Sequence, residues 1–162
     1  MRMIKFATFF FVLMMIGQVS AIAQESQKKA KKPKYSAKLA QKVGANKNGM
    51  RQYVVAFLKT GPRDGDFTGE ERAALFRDHF ANMERLAAEG KLAVAGPFSD
   101  PDKKFRGLFI LAVTTVEEAR KLAETDPVVK SGLMIVEYVP WFGSAALMLN
   151  NELHYKVQKE SM

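Results

Sequence analysis

An α+β domain of ferredoxin-like order, β-α-β-β-α-β, is what this 162-residue chain predicts. Three observations carry that expectation. Four short runs are rich in β-branched and aromatic residues. Two helical segments, each opened by a capping-box pattern, separate the first run from the second and the third from the fourth. Glycine and proline punctuate the junctions. Such an order places both helices on one face of a four-stranded sheet.

The elements follow in turn. Arg51–Thr60 (RQYVVAFLKT) is the first strand, and a polar loop, Gly61–Phe67, leads to the long helix. Thr68 and Glu71 have capping-box spacing, and Gly90 stands where a left-handed stop belongs. With 100° per residue and His79 as zero, Leu75, Phe76, Met83 and Leu86 fall within about 60° of it. His79 therefore faces inward. Lys91–Ala95 is a short second strand closed by a Gly96-Pro97 turn. Ser99–Phe105 is a further turn, and Arg106–Thr114 is the third strand. Thr115 and Glu118 form a second capping box, whose helix stops near Asp126-Pro127. Met134–Trp141 is the fourth strand.

Both faces of the sheet read as apolar. Tyr53, Val55 and Phe57 alternate with Val54, Ala56 and Leu58, and Leu108, Ile110 and Ala112 alternate with Phe109, Leu111 and Val113. Two helices cover one face only. A second copy of the chain is expected on the other, sheet against sheet, as a dimeric α+β barrel. The alternative is that the extension 144–162, with Leu147, Met148 and Leu149, folds back over the bare face.

The chain ends carry different signals. Residues 1–23 read as a signal peptide: Arg2 and Lys5 are a positive start, Phe6–Ile16 is apolar, and Ala21-Ile22-Ala23 suits cleavage. The apolar run is short against the roughly 20 residues that span a bilayer. An exported protein, periplasmic or secreted, is the expectation. Residues 24–49 carry eight lysines against Glu25 alone and read as a disordered linker. This tail is suited to touching an anionic envelope surface. Residues 50–143 are the domain proper. From residue 50 onward there are 15 basic and 16 acidic side chains, so the net charge of +8 resides in the ends. A nearly neutral domain argues against nucleic acid as a partner. The chain has no cysteine, which excludes thiol catalysis and cysteine-held metal.

The candidate chemistry centres on His79 and Asp126. Each lies 11 residues after its own capping threonine, about 16 Å down its helix at 1.5 Å per residue. Helices in contact are about 8–10 Å apart, so the two side chains can meet at the seam. An apolar surround and a neighbouring carboxylate push an imidazole's proton affinity in opposite directions, which suits proton exchange near neutrality. The expected work is acid–base catalysis on a small, partly apolar molecule. Phe98 and Trp141 are candidate pocket walls, and Arg106 is a candidate receiver for an anionic group. Each residue also has a plain structural reading: His79 as a bonded core histidine, Asp126 as a helix-ending residue, Arg106 as a strand start, Phe98 and Trp141 as packing. His154 reads as solvated. There is no paired-histidine spacing for a metal, no phosphate-cradling glycine loop and no Gly-x-Ser-x-Gly elbow, so neither metal nor cofactor is expected. Haem would have His79 alone as an axial ligand.

A helix with central His79, then EGKLAVAGP (89–97), then ETDPVVKSGLMIVEYVPW (124–141) resembles the YCII-related family over residues 51 to 142. His79, Gly96-Pro97 and Asp126-Pro127 followed by Gly132 carry the likeness. The resemblance implies a dimeric ferredoxin-like barrel with a His–Asp active site. It also implies activity of dehydrochlorinase or isomerase type on small ring compounds. The leading segment, the basic tail and the residues after Gly143 depart from the family pattern. A non-catalytic dimeric binding or structural protein of the cell envelope is the alternative function.

Overall fold

The computed structural model describes residues 33–160. The expected signal peptide and the start of the lysine-rich stretch lie outside the described residues. From Ser36 onward the described residues form one compact unit. Its elements are α1 (Ala37–Lys42), β1 (Met50–Thr60), α2 (Gly69–Ala88), β2 (Leu92–Pro97), β3 (Phe105–Leu111), α3 (Val116–Ala123), α4 (Pro127–Lys130), β4 (Met134–Ser144) and α5 (Asn150–Val157). The sheet order is β2-β3-β1-β4 with every neighbour antiparallel, which is the ferredoxin-like α+β arrangement.

Register sorts the side chains. Val55 lies opposite Ile110 on one side and Val139 on the other, and Ala56 opposite Phe109 and Tyr138. Val54, Ala56, Leu58, Phe109 and Leu111 point to the helices, where they pack with Leu86, Ala119 and Val128. Removing Leu86 from water contributes about 2 kcal/mol. Thr115 and Glu118 form their capping box, and Gly90 ends α2 with φ 67°.

Four expectations are corrected. The Thr68–Glu71 box does not form: Thr68 makes no side-chain cap bond, because Gly69 follows it at φ 51° and breaks the capping geometry. Gly96-Pro97 is not a turn but the end of β2, an edge strand where a missing N–H is tolerated. The helix expected up to Asp126 ends at Ala123, and Asp126 instead starts α4. The linker 24–49 is ordered in its second half: α1 forms, Val43 is buried, and Lys42 pairs with Glu152 of α5 at 2.7 Å.

The extension after β4 does not cover the sheet. A 3-10 turn, Ala145–Leu149, leads to α5 beside β2, where the Asn151 side-chain amide donates to the Leu92 carbonyl at 2.8 Å. On the face away from the helices, Ile135, Val139, Trp141 and Phe98 stay exposed.

Candidate active site

His79 and Asp126 meet. His79 Nδ1 lies 2.7 Å from Asp126 Oδ2, with the histidine 7% and the aspartate 0% exposed. The route differs from the level descent down two helices. Asp126 is the N-cap of α4, and its second oxygen, Oδ1, accepts from the Val128 N–H at 3.2 Å. One carboxylate thus caps a helix with one oxygen and holds the imidazole with the other. A carboxylate only accepts, so Nδ1 carries a proton, and in the neutral ring Nε2 then presents a lone pair. Nε2 makes no hydrogen bond among the described residues, and the residue keeps 7% of its surface exposed.

The ring sits among aromatics. It stacks on Phe109 of β3 at 5.9 Å and 18°, meets the edge of Phe76 at 6.0 Å, and touches Phe80 at 5.4 Å. An imidazole fixed in one tautomer by a buried acid, with its free nitrogen at the rim of an apolar surround, has the elements of a general base.

Asn82 was not singled out from the sequence, although at 100° per residue it also falls about 60° from His79. It is buried on the same face of α2, and its Oδ1 receives Arg85 Nη2 at 2.8 Å and lies 3.0 Å from Thr125 Oγ1. A polar residue on a greasy arc was the available signal.

The remaining candidates are not brought to this pair. Phe98 stacks on Phe57 at 6.5 Å, and Trp141 packs on Tyr53 at 5.8 Å. Tyr53 and Phe57 share the face opposite Phe109, so both candidate walls lie across the sheet from His79. Arg106 is tied to Asp64 at 3.1 Å, and Arg72 binds the same Oδ1 at 2.7 Å. A register shift at Leu58/Lys59 keeps Phe105 beside Phe57 and lets Arg106 reach that acid. Arg72 lies over Phe76, so this charge cluster stands two turns ahead of His79 on α2.

The hydrogen bond from Arg72, joined by Arg106, holds the Asp64 carboxyl below its ordinary value. A lowered carboxyl contributes stability above its unfolded value of about 4, lost as pH falls through the folded one. Asp64→Asn is therefore expected to lower Tm most near pH 7, with the gap from the native protein closing in acid. Thermal melts across that range check it; a gap constant with pH would remove the ion pairs as its cause.

A ferredoxin-like sheet with a histidine–aspartate pair buried under its helices defines the class of protein. Residues 51–142 match the YCII-related domain, and the chain belongs to that family. It is 33% identical over 63 residues to the uncharacterised protein YjpA of Bacillus subtilis (strain 168), spanning 39% of this chain and 71% of that one. Among solved structures it is similar to 5-chloro-2-hydroxyhydroquinone dehydrochlorinase (TftG) from Burkholderia phenoliruptrix AC1100, in complex with 2,5-dihydroxybenzoquinone. That likeness is 23% identical with a TM-score of 0.42, over 55% of this chain and 92% of the other.

Proposed function

We propose that this chain is an exported, cofactor-independent acid–base enzyme of isomerase or lyase type, acting on a small, partly apolar molecule. The observation that carries the reading is the 2.7 Å contact between His79 Nδ1 and a carboxylate that is itself anchored by the Val128 N–H. His79 Nε2 takes a proton from an acidic C–H or O–H of the substrate, and Asp126 steadies the resulting imidazolium. Support for export comes from the charge and hydropathy of residues 1–23; a mature protein beginning elsewhere than near Gln24 would refute that part.

The test is a thermal-shift screen of small hydroxylated and halogenated ring compounds against the native protein and His79→Ala. Hits that vanish in a folded His79→Ala variant, and that exchange a carbon-bound proton with solvent deuterium only with His79 present, support the enzyme. Hits indifferent to the substitution defeat it.

A non-catalytic small-molecule binder of the envelope is the second reading. It is favoured by a cavity of about 150 Å³ that lies not at the pair but between α2 and α5, against Phe80, Met83, His154 and Tyr155. In either case we propose that a second copy covers the sheet face bearing Val55, Phe57, Ile110, Val139 and Trp141. That face is largely apolar; its Lys59 and Glu137 pair with each other at 3.1 Å, and Arg51 lies over the Tyr53 ring and donates to the Val43 carbonyl. Light scattering is expected to give a dimer at micromolar concentration, and a stable monomer would overturn it.

A further inference from the structure

The acid–base reading leaves one buried polar side chain without a task. Asn82 follows His79 by three positions on α2, so the two are neighbours on one face, and Asn82 is 9% exposed. Arg85 Nη2 reaches both Asn82 Oδ1 at 2.8 Å and Thr125 Oγ1 at 3.0 Å, and the latter two are 3.0 Å apart. A guanidinium only donates, so the amide's orientation follows from chemistry: oxygen toward Arg85 and Thr125, NH2 away. That NH2 is buried and has no partner among the described residues.

An unmet buried donor destabilises a fold, and a leucine of similar volume would carry no such penalty. Asparagine stands here despite that cost, and what it supplies is the oxygen. The oxygen is joined to Thr125, the residue before Asp126 in the three-residue link between α3 and α4, through Arg85 Nη2, which donates to both; the Thr125 hydroxyl proton is shared between Asn82 Oδ1 at 3.0 Å and the Leu122 carbonyl at 2.7 Å.

We propose that Asn82, oriented by Arg85, is a positioning residue that clamps this link to α2 and keeps Asp126 Oδ2 on His79 Nδ1. The proposal rests on the pair being the proton-transfer site. Loss of the clamp lets the carboxylate drift and frees the imidazole to place its proton on Nε2, where it can no longer act as a base.

The experiment reads the ring-nitrogen NMR signals of His79 in the ¹⁵N-labelled chain and in Asn82→Leu, Thr125→Val and Thr125→Ser. The ratio of the Nε2–H to the Nδ1–H form is expected to rise about fivefold in the first two, the factor equivalent to one net hydrogen bond. Thr125→Ser, which keeps the hydroxyl, retains the native ratio, and Asn82→Leu melts no lower than the native protein. A native ratio in folded Asn82→Leu and Thr125→Val would overturn the clamp. So would an Asn82→Leu that melts far lower with the ratio unmoved, because the amide would then serve stability alone. Should Asn82→Leu not fold, Thr125→Val at an exposed position decides. The readout needs no substrate: failure to find His79-dependent chemistry counts against the enzyme, and an unmoved ratio counts against the clamp.

Discussion

Asp126→Asn is expected to cripple the proton transfer proposed for His79 while leaving the chain folded. Asparagine caps helices as well as aspartate does, so its oxygen can keep the Val128 N–H that Asp126 Oδ1 now accepts at 3.2 Å. Its NH2 then replaces Oδ2, which stands 2.7 Å from His79 Nδ1. Two N–H groups facing each other have no acceptor between them and form no hydrogen bond. The imidazole must accept at Nδ1 and carry its proton on Nε2, the tautomer unable to act as a base. The loss in turnover is expected to be on the order of 10³- to 10⁴-fold, the effect of forcing the wrong tautomer on a catalytic histidine. The melting temperature should stay within a few degrees. A variant that keeps most of its rate would take Asp126 out of the chemistry.

Gly61→Ala is expected to be the most damaging single-methyl change in the fold. A Cβ at this position would lie 2.2 Å from the Gly132 carbonyl oxygen and 2.8 Å from that of Leu133. These are backbone atoms, and the Gly61 N–H is bonded to Leu133 O at 2.8 Å, so neither side can give without breaking the join. Overpacking of this kind costs about 3 kcal/mol, a large share of a small domain's stability. Urea unfolding measures it. An unchanged midpoint would mean that β1 and the start of β4 are not locked as described.

Much of this fold was legible because its signals are local. Alternation in 53–58 and 108–113 identified two central strands and their two apolar faces, and the helical arc around His79 identified its inward direction. Thr115 with Glu118 and the Gly90 stop were read from residue chemistry alone. Asp126-Pro127 was misread because an Asp-Pro pair that can stop one helix also suits the cap and first position of the next, which is its part here. The pairing with His79 survived, since the link between the helices still delivers the carboxylate to the seam.

The pocket walls were not legible for a different reason. Whether Trp141 shares a face with His79's neighbour Phe109 depends on cross-strand register, and a one-residue slip reverses the answer. Register places Trp141 opposite Tyr53, on the far side. Arg106 depended on a bulge that leaves no mark in composition. Asn82 was visible as a polar residue on an apolar arc, but its partners Arg85 and Thr125 come together only in three dimensions.

The divided carboxylate of Asp126 makes a remote amide into a gauge. The Val128 N–H is shielded by the same side chain that steadies the imidazole, so whatever pulls that side chain away exposes both at once. Deuterium uptake at this single backbone position should therefore track the readiness of the pair, quickening in variants that loosen it and slowing when a tight occupant arrives.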